Sequence, residues 1–581
     1  MAADEQAIYR FGGFVLDPAA FVLRSGPRRI RMERRPMELL ILLIERAGQL
    51  VSRAEITERL WSVDVFVDTD AGVNTAVRKI RRALRDSPDR PSFVETIQGK
   101  GYRFVGALEP ATVPVAITLG VLPFANLTGD PSREYVADGF TEETIAALGQ
   151  VAESDVRVLG RTSMMRVKRS RLSIGQLGRR LGADYLVESA VREAGPALRI
   201  PPRLVRVSDE TLVWSASYDG SPADLLRFER ELCETLAADV HVRLAPERIA
   251  RLQQRQTGSA EAYDLYLRGR HAWNQLTPAT TREALRCFST ATEVDPDYAL
   301  AWSGIADALV TGPITADVDP AAIRERATRA AVTAARVGPD LAEVQTSVGI
   351  VKFWLDWSWP AAETALRRAI SLDPHYPFAC RMLGHVLSQT GRHGAARLAL
   401  QRAVGLDPFY AMHHALSAQI AFQAADFTGA IRHAERALEV DDRFWVGYHQ
   451  LAQARERCGE LNGALEALAP ASQLSSANSK VESLRAYVLA AMGRHDEAVA
   501  ALDELEARAR SQFVPPYALA LVNLGLGRLD IAYRWLEQAV AVRDVHLIYL
   551  PVDGKWDRCR HDAAFTRVIR ACGFPTPPAE V

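Results

Sequence analysis

Arg78, Lys79, Arg81, Arg82 and Arg85 fall within one short stretch, and no acidic residue lies between Ala71 and Arg85. A guanidinium carries parallel N–H donors that match a phosphate or the acceptor edge of guanine, so such a cluster has the chemistry to grip duplex DNA. Val73, Val77, Ile80 and Leu84 recur between these cations at steps of four, three and four. That spacing puts the apolar side chains on one helical face and Asn74, Arg78, Lys79, Arg81, Arg82 and Arg85 on the other. Most charge runs are solvated helix faces, so charge alone leaves both readings open.

Other candidate chemistry is sparse. The chain has no Gly-x-Ser-x-Gly, no phosphate loop ending in Gly-Lys-Ser/Thr, no Gly-x-Gly-x-x-Gly and no His-Glu-x-x-His. His413 and His414 are adjacent, and neighbouring helical residues point about 100° apart, which does not suit a shared metal. Asn126-Leu127-Thr128 matches a glycosylation sequon by accident, and Trp354, Trp357 and Trp359 read as packing residues. The expectation is a non-enzyme with no cofactor and no metal.

The elements around the cluster change period along the chain. Tyr9 to Leu16, Phe21 to Arg24 and Arg29 to Met32 read as strands, with Gly12-Gly13, Asp17-Pro18 and Gly26-Pro27 as turns. Met37, Leu40, Leu43 and Ile44 mark a helix face, and Ser52 with Glu55 forms a capping box for a second helix running to about Trp61. The basic helix runs from Ala71 to Arg85 and is ended by Pro88 and Pro91; Phe93 to Ile97, Gly99-Lys100-Gly101 and Tyr102 to Val105 form a hairpin.

With "LVSRAEITERLW", "VNTAVRKIRRAL" and "FVETIQGKGYRFVG", this order of strands, three helices and hairpin resembles the OmpR/PhoB-type winged-helix DNA-binding domain over nearly its whole length. The resemblance implies a winged helix over 8–107 whose third helix enters the major groove and whose hairpin wing touches the neighbouring minor groove. It implies Asn74, Thr75, Arg78, Lys79, Arg81 and Arg82 on the recognition helix, and Gln98 and Lys100 on the wing. Gly99-Lys100-Gly101 reads as a β-turn or as a phosphate nest, and a wing turn approaching a DNA backbone satisfies both.

A linker over 108–116 contains Pro110 and Pro114. Ile117 to Pro123, Val156 to Leu159, Tyr185 to Arg192, Leu198 to Val207 and Leu212 to Tyr218 then read as strands, with helices at Thr141 to Val151, Ile174 to Leu181 and Ala223 to Leu244. This α/β region, 117–245, resembles the TolB amino-terminal domain through "LGVLPFANLTGDPSREYVADGFTEETIAAL", "LGADYLVESAVREAG" and "LVWSASYD". Pro201-Pro202 interrupts a strand of that pattern, which must be an edge or bend there.

Beyond Leu265 the pattern is helical and repetitive. Ala362, Ala396, Ala430, Ala464, Ala498 and Ala532 recur every 34 residues, as do Leu366, Leu400, Ala434, Leu468, Leu502 and Leu536. This is the tetratricopeptide period, with Asp295-Pro296, Asp373-Pro374 and Asp407-Pro408 as inter-repeat turns. Pro296 to Pro339 is about nine residues too long, an excess assigned to a Thr311 to Pro320 loop. The array is expected over 260–545 with a cap over 546–581. In tetratricopeptide folds the first helix of each repeat lines the groove. That resemblance places Arg381, His385, Gln389, Gln419, Gln423, His449, Gln453 and Arg457 inward, a polar ladder for a protein or peptide ligand, with Phe378, Phe422 and Tyr487 as sparse anchors. A wet groove, with the array serving as a spacer or homodimer surface, is the competing reading.

The whole is therefore expected to be multidomain: an α+β winged helix, a mixed α/β domain and an all-α superhelix. Composition agrees, with 48% hydrophobic and 24% charged residues excluding a disordered or fibrous class. The net charge of −1 excludes a uniformly basic coat, whereas residues 24–103 hold 17 basic and 11 acidic side chains and concentrate positive charge at one end. Six scattered cysteines and an amino terminus without a basic-then-apolar signal predict a reduced, cytoplasmic protein without a membrane helix. The module order resembles regulators of the CadC and ToxR type without their membrane helix, and the winged helix is expected to act without a receiver domain ahead of it. The expected function is a DNA-binding transcription regulator whose partners are double-stranded DNA and a protein or peptide. A scaffold whose winged helix docks protein is the alternative.

Overall fold

A computed structural model describes residues 9–17, 22–25, 28–30, 32–47, 50–60, 69–88, 91–97, 99–106, 117–151, 156–168, 170–194, 197–220, 224, 228, 231, 235, 257–275 and 277–574. The chain divides into two compact units, Met1–Val115 and Ala116–Val581.

In the first unit, β1 (Tyr9–Phe11), β2 (Phe14–Asp17), β3 (Val22–Ser25) and β4 (Arg28–Ile30) form an antiparallel meander in that order. Gly12 and Gly13 make its first turn at φ 50° and 81°, where a side chain would be strained. Next come α1 (Arg34–Glu45), β5 (Leu50–Ser52), α2 (Arg53–Leu60) and α3 (Thr69–Leu84). Ser52 Oγ accepts the Glu55 N–H at 3.2 Å and so caps α2. The hairpin β6 (Val94–Ile97) and β7 (Gly101–Phe104) adds to β5 in the order β5-β7-β6. Strand β5 escapes the sequence reading because three residues carry no period. It pairs closely because Gly101 has no side chain: a Cβ there would lie 2.1 Å from the Val51 carbonyl oxygen. Phe11, Leu40, Val51, Val77, Ile80 and Phe104 meet in one core, so this unit buries its own apolar surface.

The second unit begins with β8 (Ile117–Val121), β9 (Ala125–Leu127), α4 (Glu134–Val151), β10 (Val156–Val158), α5 (Arg161–Met165) and α6 (Ile174–Leu181). Six strands follow: β11 (Tyr185–Glu188), β12 (Ala190–Ala194), β13 (Ala197–Ile200), β14 (Arg203–Arg206), β15 (Leu212–Ser215) and β16 (Tyr218–Gly220). They form two sheets, β10-β8-β11-β14-β15 and β16-β13-β12-β9. The segment expected as one strand from Leu198 to Val207 splits at Pro201-Pro202, and its halves β13 and β14 belong to different sheets. Proline has no N–H for the ladder, so the chain changes sheets where the ladder must stop. The linker over 108–116 and most of the Ala223 to Leu244 helix lie outside the described residues.

From Ala260 to Ala541 the described residues form antiparallel helix pairs, Ala260–Trp273 with Pro278–Val294 through Pro516–Gly525 with Leu529–Ala541. The alanines of the 34-residue column are fully buried between paired helices. The long repeat corrects the expected loop. Helices Ala299–Thr315 and Pro320–Val337 have 17 and 18 residues, against 13 and 14 in Ala342–Trp354 and Trp359–Leu372, so the excess lengthens both helices by about a turn. Pro313 is carried inside the first of them, and Asp319 caps the second by accepting the Ala321 N–H at 2.9 Å.

The array returns on itself. Asp317 accepts the Ser479 hydroxyl at 2.6 Å and pairs with Arg508 at 3.3 Å. Trp359 Nε1 donates to the Cys572 carbonyl at 3.2 Å, and Arg543 lies 5.0 Å over the Trp357 ring. The α/β region packs against its early helices: Glu142 pairs with Arg161 at 2.7 Å and accepts Arg270 Nε at 2.9 Å, and the Gly160 N–H donates to the Leu406 carbonyl at 2.7 Å.

Candidate nucleic-acid interface and repeat groove

Val73, Val77, Ile80 and Leu84 are all within 2% of full burial, which fixes the rotation of α3 and turns its opposite face outward. The helix ends at Arg85, whose φ of 54° is left-handed, and the Asp86 N–H donates back to the Arg81 carbonyl at 2.8 Å. The stop thus precedes Pro88 and Pro91. The Asp86 carboxylate then accepts the N–H groups of Ser92 at 2.7 Å and Val94 at 2.8 Å, fastening the helix end to the hairpin.

The candidate DNA residues have distinct surroundings. Arg78 and Arg82 are exposed, one turn apart, and make no ion pair or hydrogen bond through their side chains among the described residues. Lys79 Nζ sits 2.6 Å from Glu33 in an exposed pair. Arg81 bridges inward: its guanidinium donates to the Val94 carbonyl at 2.7 Å and to Thr96 Oγ1 at 2.8 Å. The exposed Asn74 accepts from Arg53 at 2.8 Å and from the Tyr102 hydroxyl at 2.8 Å. Thr75 is half-buried on the same helix, and Lys100 is exposed in the hairpin turn. Gln98 lies outside the described residues.

Arg53 was not singled out from the sequence. It lines one shallow concavity with Asn74, Arg78, Arg81, Arg82, Thr96 and Tyr102, and stacks 5.3 Å over the Tyr102 ring. Its neighbours come from α3, β6 and β7, so no local spacing signals the arrangement.

In the second unit the eight groove candidates lie on first helices of successive repeats, but structure encloses most of them. Arg381 stacks 4.5 Å over Phe378 and 5.6 Å over Tyr410, and burial lowers its pKa. With residues of α4 and α5 it lines a partly open cavity. His385 packs against Phe353, Trp354 and Tyr549, and burial holds its imidazole down at about 3. Gln389 and Gln423 exchange amide hydrogen bonds, with Gln423 Nε2 to Gln389 Oε1 at 3.1 Å. Gln419, Gln423, His449 and Gln453 line a second cavity, covered on one side by residues between Val545 and Cys559. Arg457 stacks over Phe427 at 5.5 Å and sits 3.8 Å from Asp557. Phe378 and Phe422 line the first and second cavity respectively, whereas Tyr487 packs in the repeat core. No cluster of metal-ligating side chains occurs among the described residues.

Residues 27–104 match the family described as "Transcriptional regulatory protein, C terminal", and residues 379–410 match the tetratricopeptide repeat. The chain thus carries an OmpR/PhoB-type regulator domain near its amino terminus and tetratricopeptide repeats beyond it.

Three curated proteins illustrate its relationships. "Transcriptional regulator HilA" of Salmonella typhimurium is 25% identical over 305 residues, 51% of this chain and 52% of that protein. "Aerobic respiration control protein ArcA" of Escherichia coli K12 is 32% identical over 103 residues, 17% of this chain and 42% of that protein. "Putative adenylate cyclase 3" of Rhizobium meliloti is 31% identical over 201 residues, 35% of this chain and 34% of that protein. The chain therefore spans about a third to a half of these relatives. No helix among the described residues is long and apolar enough to cross a membrane.

Proposed function

We propose that the protein is a sequence-specific DNA-binding transcription regulator of the cytoplasm, with no catalytic activity of its own. In this reading α3 lies in the major groove and the turn at Lys100 meets the adjacent minor groove. The observation that carries it is the pair Arg78 and Arg82: two exposed guanidiniums without partners among the described residues, on a helix whose other face is core, inside the segment matched to the regulator family. A solvated helix face needs no such concentration of unpaired cations beside a hairpin. Arg53, Asn74, Thr75 and Lys79 surround them, Lys100 stands in the hairpin turn and Arg81 positions the hairpin, while Gln98 enters only through the resemblance. The relatives named transcriptional regulator and respiration control protein support the same reading. The repeats support interaction with a protein.

The test is selection of duplexes from a random library by the full chain, followed by a gel shift on the enriched sequence. Enrichment of one motif, bound more tightly than scrambled DNA and weakened by salt, is expected. Retention of no sequence above the starting library would refute the proposal.

A further inference from the structure

The second cavity of the array combines a cationic side chain without an ion pair, polar groups on several helices and a cover on one side from the chain between Val545 and Cys559. Its wall includes Gln419, Phe422, His449, Lys480, Tyr517 and Tyr549. Lys480 Nζ lies 5.0 Å over the Tyr549 ring and makes no ion pair or hydrogen bond among the described residues. Asp553 is the only carboxylate on the wall, and its oxygens are taken: they accept Lys555 Nζ at 2.9 Å, the Tyr517 hydroxyl at 3.2 Å and the Lys555 N–H at 3.0 Å. Lys555 is neutralised by that pair, which leaves the cavity with the charge of Lys480. Burial, with Lys555 nearby, pulls the Lys480 ammonium down to about 8.

Lys480 is half-buried, and a cation partly removed from water without a carboxylate is destabilising unless something else supplies the charge. His449 adds a buried ring nitrogen, Nδ1, that has no hydrogen-bond partner. Two of the chain's six lysines face this one cavity, although 64 of its 70 basic residues are arginine. The turns between Val545 and Cys559 cover one side of the cavity, with His546, Tyr549, Asp553 and Lys555 on its wall.

We infer that this cavity is a binding site for a small organic anion, whose carboxylate or phosphate sits on Lys480 and whose remaining polar atoms meet His449 and the surrounding glutamines. The aromatic faces of Phe422, Tyr517 and Tyr549 cover its carbon skeleton. The site would give the regulator a small-molecule input inside the repeat array. It stands apart from the DNA-binding reading, since ligand binding is measured without DNA.

The experiment is thermal melting of the full chain in millimolar succinate, citrate, glycerol 3-phosphate or inorganic phosphate. Sodium chloride matches ionic strength, and glycerol is the uncharged control. The expected result is a saturable rise in melting temperature with at least one of these anions. Carboxylates and phosphates form separate arms that assign the headgroup. Lys480→Gln, and Lys480→Met as its substitute should the first not fold, removes the response while melting at or above wild type without anion, because a half-buried charge without an ion pair has gone. Arg381→Gln, in the other cavity, keeps the response.

A mutation-free readout is acetylation of Lys480 by sulfo-NHS-acetate, followed by mass spectrometry. The stabilising anion should slow it several-fold. No rise beyond sodium chloride with any of the four anions, a rise that survives in the Lys480 variant, a rise lost instead in Arg381→Gln, or unchanged labelling of Lys480 would each overturn the inference.

Discussion

Three arginines on two turns of α3 should respond to truncation in two different ways. Arg78 and Arg82 are exposed and unpaired among the described residues, whereas Arg81 spends its donors on Val94 and Thr96 of the hairpin. In Arg78→Ala/Arg82→Ala the loss of two base-edge contacts should cost about 2 to 6 kcal/mol, or ~30-fold to ~10⁴-fold in Kd. If both contact phosphates instead, the slope of log affinity against log salt should shrink by ~1.8 in total. Fluorescence anisotropy on the selected duplex across a salt series separates these outcomes, and the double variant should melt like wild type. Arg81→Ala loses two bonds from a charged donor, each contributing about 1.5 to 3 kcal/mol when buried. Partial exposure reduces this to about 2 kcal/mol for the unit, a fall of ~10 °C for a domain of this size. Wild-type DNA affinity in the double variant would refute the assignment of α3. An Arg81 variant that melts like wild type yet binds DNA poorly would refute the distinction between staple and contact.

Gly101→Ala should unfold the hairpin edge, because its Cβ would lie 2.1 Å from the Val51 carbonyl oxygen; circular dichroism melting of the Met1–Val115 unit should fall by about 2 kcal/mol or more. Burial raises the Asp307 carboxyl to about 6, so its contribution is present below pH ~4 and is lost as pH rises through ~6. Asp307→Asn, which keeps an acceptor for Ser347, should therefore melt higher than wild type at pH 7, by up to about 3 kcal/mol, with the gain vanishing near pH 4. Burial holds His385 down at about 3 and His413 and His449 well below their ordinary value, so the native state excludes protons that the unfolded chain binds. Denaturant unfolding should show stability lost as pH falls from ~6.5 toward 3, and His449→Gln should flatten that dependence.

The sequence makes periodic features legible and leaves hidden those that need two distant segments at once. The α3 stripe and the 34-residue alanine column each repeat with the geometry of a helix or a helix pair, so a single pass along the chain finds them. The fastening of α3 to the hairpin by Arg81 and Asp86 joins residues with no common period, and on sequence grounds Arg81 was grouped with its DNA-facing neighbours. In the long repeat Gly312-Pro313 reads as a loop, whereas Ile305, Leu309 and Val310 stay buried and packing carries the helix through the proline.

The groove raises the same issue on a larger scale. Inward positions on each first helix follow from the repeat, but whether the groove is open depends on segments more than a hundred residues away. Here α4 and α5 fill one stretch, and the chain between Val545 and Cys559 closes another. Polar side chains that would form a solvated ladder in an open superhelix become walls of partly covered cavities, where a charge without an ion pair is costly and therefore informative. That cover changes the question asked of His449 and Gln453 from which peptide they hold to which small anion they share with Lys480.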